Sequence, residues 1–278
     1  MNVIRAVLFL LLATLIWGTT FPFQKMVLPG VSPFTYNAVR FGIATIVSFF
    51  LFGKGNFLKG SLLGIVLSVG YITQIWGLTM TEASKSGFIV SLYTVFVPFF
   101  SYLIDKEKIT KIQLLAFSLA MVGSYLLSGG IEGFNFGDFL MLVCAISFGL
   151  HVVLITKLSR NEEAKNLLFY QFLTVTILNA IFGLKESWLF PLKTYVVAAY
   201  SALFATLFGI YTQLKYQKLI GSNASALIFL AQPITSTFFS YLLLREVFSP
   251  SQTLGALIML AAFLLSSMSL RKMKKVED

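Results

Sequence analysis

Residues 99–103 read FFSYL, and residues 238–242 read FFSYL again. The offset of 139 extends in both directions without a gap. It pairs Gly70 with Gly209, Thr73-Gln74 with Thr212-Gln213, Ser86 with Ser225, Ile89 with Ile228, Glu107 with Glu246 and Gln113 with Gln252. Nearer the N-terminus the offset becomes 131, which pairs Trp17-Gly18 with Phe148-Gly149 and Arg40 with Gln171. The eight-residue change falls in the loop around residues 185–193. Apolar helices resemble one another by composition alone. A shared Thr-Gln pair, a shared pentapeptide and a shared Glu in one ungapped run go beyond that resemblance. The chain therefore reads as two versions of one unit, residues 1–130 and residues 131–278.

Composition says what the unit is. The 278 residues are 57% hydrophobic and only 12% charged, with a mean hydropathy of +0.85. Soluble domains carry about 25% charged residues. A water-exposed globule could not cover itself with so few charges, so lipid faces much of this surface. A bilayer core of about 30 Å is crossed by about 20 apolar residues of helix. Ten such runs are readable, at residues 6–26, 32–52, 60–78, 84–104, 110–127, 137–158, 167–183, 194–211, 223–244 and 252–268. The breaks between them carry turn chemistry, as in Pro29-Gly30, Gly53-Lys54-Gly55-Asn56, Gly129-Gly130 and Gly221-Ser222-Asn223. The expected fold is an all-α integral membrane protein of ten transmembrane helices, five in each unit. Five is odd, so the second unit enters the membrane upside down relative to the first. An inverted repeat of this kind encloses a cavity between its halves, the common design of secondary transporters.

Orientation follows from Lys and Arg. With ten spans both termini share one side. Fifteen of the 21 Lys and Arg fall on that side, five lie in the opposite loops, and Arg40 sits inside a span. The bias puts both termini in the cytoplasm of the plasma (inner) membrane. The formal charge of +10 is thereby a topology signal, and no nucleic-acid partner is expected. The cluster at Arg271, Lys272, Lys274 and Lys275 faces anionic lipid in this reading, and the tail it opens is expected to be disordered. The single cysteine, Cys144, leaves no intrachain disulfide to form.

Polar groups are costly in hydrocarbon unless they face protein or water, so the polar residues inside spans are the site candidates. Arg40 comes first. It lies nine residues into the second run, and its guanidinium offers paired donors to a carboxylate or phosphate. The alternative is a structural clamp on helix-end carbonyls, or snorkelling to the surface. His151 lies near the centre of the sixth run, opposite Thr20 in the repeat. It is read as a neutral hydrogen-bonding residue, because a lone histidine without a carboxylate partner is a poor proton relay. Thr73-Gln74 and Gln213 recur between the halves. Asn37, Tyr71, Tyr93, Gln171, Tyr211 and Gln232 are similar candidates, and Trp17, Trp76, Tyr71 and Tyr93 offer faces for stacking. For any one of them helix–helix adhesion is the commoner role, at about 0.6 kcal/mol each. Together they point to a polar cavity in an apolar bundle. Pro22, Pro98 and Pro233 lie within runs and are candidate hinges. The repeat sets Thr94, not Pro98, opposite Pro233, so the halves are expected to bend at different heights. Glu107 and Glu246 are read as boundary salt-bridge partners of Lys106 and Arg245.

In Trp17-Gly18-Thr19-Thr20-Phe21, in Arg40, in Gly77-Leu78 leading through Ala83-Ser84 to Gly87-Phe88-Ile89, in Pro98 with Glu107 and in Pro233 with Glu246, the chain resembles the drug/metabolite transporter superfamily, specifically its EamA-like ten-span members. The resemblance runs over the whole chain and rests on the order of short motifs. It implies export or exchange of small metabolites, often amino acids or related compounds.

Other function classes leave no trace. An intramembrane enzyme needs nucleophiles, metal ligands or paired carboxylates, and the chain has one His, one Cys and no Asp or Glu deep in a run. It has no phosphate-binding glycine loop. No catalytic residue, metal or cofactor is expected. A channel or lipid-handling protein is the main alternative, since inverted repeats also occur in channels. The expected function is a secondary transporter, with a small zwitterionic or anionic solute as its partner inside the lipid bilayer. Oligomeric state has no signal in the sequence.

Overall fold

The computed structural model describes residues 3–127 and 133–277, with side chains described as far as residue 265. The expected division at residues 130 and 131 lies outside the described residues. Among the described residues thirteen α-helices follow one another: α1 Val3–Val27, α2 Pro33–Phe52, α3 Phe57–Met80, α4 Ala83–Ser91, α5 Tyr93–Asp105, α6 Lys111–Leu127, α7 Phe136–Ser159, α8 Leu168–Phe182, α9 Leu192–Tyr200, α10 Gly209–Ile220, α11 Ser222–Phe229, α12 Ala231–Leu244 and α13 Pro250–Glu277. A 3-10 turn, Ala164–Leu167, leads into α8, and a π-helical stretch, Ser201–Phe208, joins α9 to α10.

Among the described residues seven helical runs are long and apolar enough to cross a membrane: α1, α2, α3, α4 with α5, α7, α9 through α10, and α11 with α12. Helix α6 and the apolar part of α13 are shorter. The all-helical membrane class stands, and length and composition alone support seven spans. The distribution of side chains is that of a protein in lipid. Phe50, Leu58, Phe99 and Leu189 are exposed, while Thr14, Asn37, Arg40, Gln171 and Gln217 are buried. In hydrocarbon, polar groups turn inward and partner one another.

Local chemistry explains the element boundaries. Ser32 caps α2 by accepting from the Thr35 N–H at 3.4 Å, with Pro33 in the first turn. Asn135 and Asp138 form a reciprocal capping box at the start of α7. One boundary differs from the sequence reading. The eighth run was expected to end at residue 211, yet the helix continues to Ile220. The polar stretch beyond Tyr211 is largely buried, and its glutamines are paired internally. Gln213 Nε2 donates to Gln217 Oε1 at 2.8 Å, and Gln217 Nε2 donates to Thr156 Oγ1 at 2.6 Å. Helix α13 likewise continues to Glu277, through the basic tail expected to be disordered.

Two of the three prolines do not mark a bend, whereas Pro233 stands three residues past one, where a proline opens the preceding turn. Helix α1 runs unbroken through Pro22, and α5 through Pro98. The breaks fall at Leu92 (φ −59, ψ −15) and at Leu230 (φ −60, ψ −14), with Pro233 in the turn after the second. These two residues are nearly equivalent under the 139-residue offset, so the halves bend at matching heights, not different ones. Around Leu92 the Ser91 and Thr94 hydroxyls bond back to the carbonyls of Phe88 and Ser91, at 2.6 and 2.8 Å, which competes with the helix ladder.

Close packing repeats the same pairing. A methyl on Gly18 would meet Thr235 and Gln232, and one on Gly149 would meet Phe96 and Tyr93, the residues 139 positions earlier. A methyl on Gly209 would strike Trp17, and one on Gly70 would strike Phe148.

Candidate functional site

A cavity of about 50 Å³ lies within the bundle, lined in part by Trp17 and Thr20 of α1, Arg40 of α2, Tyr71 and Gln74 of α3, and Tyr93 of α5. His151 of α7, Gln213 of α10 and Gln232 of α12 complete its polar wall. It is narrow, with room for a handful of waters rather than an open channel. Nine of the thirteen sequence candidates line it. The helix breaks put two of them there: Tyr93 and Gln232 stand just beyond Leu92 and Leu230, with Tyr93 Oη donating to Gln232 Oε1 at 3.5 Å.

Arg40 is the charged member of the wall and is 1% exposed. Its Nε donates to Thr206 Oγ1 at 2.9 Å and one terminal nitrogen reaches Tyr71 Oη at 3.4 Å. The guanidinium carbon lies 4.8 Å from the Tyr71 ring centroid and 5.3 Å from that of Phe41. Aromatic faces attract a cation, more so when water is excluded. No ion pair among the described residues involves Arg40. A guanidinium has five N–H donors, so neutral oxygens and ring faces hold the charge without neutralising it.

The π-helical stretch is the part of the site with no sequence signal. It carries Thr206, and the Ala205 carbonyl in it accepts from Trp17 Nε1 at 2.7 Å. Tyr36 Oη and Ser201 Oγ lie 3.3 Å apart at its start. Widened helical turns free backbone groups for such partners and cluster at functional sites. In the first half the corresponding carbonyl, Val66, accepts from Ser147 Oγ at 2.6 Å. Phe148, at the position matching Trp17, has no donor of its own.

The other four candidates lie behind or away from the wall. Gln171 Nε2 is 2.9 Å from His151 Nε2 and thus backs the histidine. Asn37 Nδ2 donates to the Tyr71 carbonyl at 2.9 Å. Thr73 bonds to its own helix, at the carbonyls of Val69 and Gly70. Tyr211 stacks on Phe52 with centroids 5.4 Å apart. The wall residues Leu67, Phe148, Val152, Ile210 and Phe229 carry no polar group to set them apart in an apolar run. Phe148 was within reach of the repeat, as the counterpart of Trp17.

Glu107 and Glu246 form no ion pair with Lys106 or Arg245. Their carboxylates instead accept backbone N–H groups at the starts of α11 and α4. Glu107 receives Ser222 and Asn223, each at 3.0 Å. Glu246 receives Ala83 at 3.0 Å and Ser84 at 3.1 Å. The acceptors and the donors are each 139 residues apart.

A lipid-facing helical bundle around a polar, cation-bearing cavity has the form of a membrane transport protein. The chain belongs to the EamA-like transporter family, whose model matches residues 4–129 and again residues 135–268. It is thus a multi-pass membrane protein of the drug/metabolite transporter superfamily, and a transporter rather than an enzyme. An uncharacterized transporter of Archaeoglobus fulgidus is 39% identical over 263 residues, covering 93% of this chain and 84% of that one. The S-adenosylmethionine/S-adenosylhomocysteine transporter of Chlamydia muridarum is 29% identical, covering 88% of this chain and 86% of its own. A protein of known crystal structure shares the fold with a TM-score of 0.73 at 17% identity, covering 95% of this chain.

Proposed function

We propose that the protein is a secondary transporter of small zwitterionic or anionic metabolites, amino acids and their derivatives foremost. It works by alternating access between two inverted five-helix halves, with both termini in the cytoplasm. The observation that carries the substrate class is Arg40, a buried cation on the cavity wall held only by neutral partners. A substrate carboxylate takes up the remaining guanidinium donors as a fork, at the energy of a charge-assisted pair. The aromatic walls, Trp17, Tyr71, Tyr93 and Phe229, receive the apolar part of the substrate or its ammonium group. Gln74, Gln213, Gln232 and Thr20 supply neutral donors and acceptors without a fixed charge.

Ten spans in two inverted halves are supported by the internal repeat, by the two matches to one family model and by the matched breaks at Leu92 and Leu230. The shorter helices α6 and α8 and the apolar part of α13 then complete the seven longer runs. The Lys and Arg bias supports the orientation and a plasma-membrane setting. An S-adenosylmethionine-type substrate also suits the cavity chemistry, with an amino-acid end for Arg40 and a flat base for the aromatic wall.

The test is counterflow in proteoliposomes with radiolabelled amino acids and S-adenosylmethionine, comparing the native chain, Arg40→Ala and empty vesicles. Trans-stimulated uptake that Arg40→Ala abolishes while the variant stays folded is the expected result. Uptake unchanged by Arg40→Ala would remove the anchor and leave the carrier. Absence of counterflow with these probes would reject this substrate class.

A further inference from the structure

Two helical runs face each other through the cavity. One is Ala83–Asp105 and the other Ser222–Leu244, each of 23 residues and about 34 Å long. Each begins at a carboxylate supplied from just beyond the end of the other. Glu246, two residues past Leu244, receives the first two amides of the Ala83 run. Glu107, two residues past Asp105, receives the first two amides of the Ser222 run. The backbone is built for this reach at both places. Lys106 and Arg245 take the left-handed conformation, at φ 54 and φ 56, and turn the chain so that the next side chain meets the opposite run. A carboxylate at a helix start satisfies orphan N–H groups and meets the positive end of the helix dipole.

The two clasps therefore sit at opposite ends of an antiparallel pair, with Tyr93, Gln232 and the narrow cavity between them. Each end has a further tie. Beside Glu107, Arg160 grips Asp105 through both terminal nitrogens. Beside Glu246, Lys25 Nζ donates to the Leu78 carbonyl at 2.8 Å and to that of Thr81. Both clasps are closed and the cavity between them is narrow.

We infer that Glu107 and Glu246 are the two latches of the transport cycle, one for each side of the membrane, released in alternation. This rests on the alternating-access reading above. With both latches closed the solute is enclosed. Releasing the Glu107 amides frees the start of α11 and opens the cavity to that side, while the Glu246 clasp holds the other. The opposite release opens the opposite side. Because the contacts correspond pair by pair, the two openings release equivalent bonds.

The experiment uses spin-label pairs in a Cys144→Ala background. One pair, at Lys108 and Leu219, reports the Glu107 side. The other, at Val247 and Met80, reports the Glu246 side. The two pairs are equivalent under the 139-residue offset, and all four residues are exposed. Distances are read by electron–electron resonance in lipid nanodiscs. Glu107→Ala is expected to lengthen the first pair and leave the second short, and Glu246→Ala to do the reverse. Glu107→Gln and Glu246→Gln keep an acceptor oxygen and are expected to shift the same pairs less, which covers the case of an alanine variant that fails to fold. Lengthening on both sides in every variant, or on neither, would reduce the carboxylates to static helix caps and overturn the latches. Counterflow by the native chain is measured in parallel. Its absence would overturn the carrier reading, whereas counterflow with no side-specific lengthening would overturn the latches alone.

Discussion

Arg40 Nε donates to the Thr206 hydroxyl at 2.9 Å, and Thr206 stands in the π-helical stretch Ser201–Phe208. The buried cation is thus oriented by the irregular part of the second half. A hydrogen bond to a charged group contributes about 1.5–3 kcal/mol.

For transport, Arg40→Lys keeps the charge and loses the planar fork. It is expected to raise the KM for an anionic substrate by about tenfold or more, the size of one lost charge-assisted bond. Thr206→Val leaves the guanidinium in place but less well oriented, and raises KM less. Both are read from counterflow at varied substrate concentration. A KM for Arg40→Lys equal to that of the native chain would show that the fork does not meet the substrate.

Gly70 packs against the Phe148 ring, as Gly209 packs against Trp17. Gly70→Ala is expected to destabilise the protein by about 1–3 kcal/mol through overpacking, partly offset by up to about 1 kcal/mol of helix propensity. Phe148→Leu in the same chain should recover most of the loss, since the two sites share one contact. Thermal unfolding in detergent measures it. Strictly additive losses would mean that the ring does not set the limit.

Much of the site was legible because the repeat and hydrocarbon physics mark the same residues. Arg40 stands out as a lone charge in an apolar run. Gln74 with Gln213, and Trp17 with Phe148, are joined by their offsets. What stayed hidden depends on long-range geometry. Nothing in SALFATLF announces a π-helical stretch, so Thr206 was missed. Glu107 lies beside Lys106 in sequence, but the left-handed turn at Lys106 directs its carboxylate to amides more than a hundred residues away. The helix end at Ile220 was missed because the apolar run stops at Tyr211 and the pairing that buries Gln213 and Gln217 is a long-range contact. Pro22 and Pro98 are candidate hinges in helices that run unbroken, and the break at Leu92 carries hydroxyl back-bonding and no proline, whereas Pro233 follows the break at Leu230.

Asp138 is fully buried and receives Lys85 Nζ at 2.7 Å, the Thr81 hydroxyl at 2.8 Å and the Asn135 N–H at 2.9 Å. Asp138→Ala removes the capping box and strands the lysine. Breaking a buried pair costs about 3–5 kcal/mol, and Lys85, at 13% exposure, places this variant at the lower end. Asp138→Asn keeps neutral hydrogen bonding and loses the ion pair, so its loss should be smaller. Unfolding midpoints in detergent order the two, and Asn falling as far as Ala would show that charge outweighs capping.

Acidity separates Glu107 from Glu162. Burial, outweighing the bonds from the Asn223 and Ser222 amides, holds the Glu107 carboxyl above its ordinary value. Between the ordinary and the raised value the folded chain holds more protons than the unfolded one. The Glu107 contribution therefore favours folding on acidification and is lost as pH rises through that window. Glu162 is opposite. The Lys59 ammonium at 3.0 Å, then the amides of Asn56 and Asn166, hold its carboxyl below the ordinary value. Its contribution is present above about pH 4.3 and is lost as pH falls through the lowered value. Unfolding midpoints from about pH 3 to 7 should accordingly show Glu107→Gln flattening the upper part of the profile and Glu162→Gln the lower part. A steeper fall with rising pH in Glu107→Gln would mean that the amide bonds, not burial, dominate at that clasp.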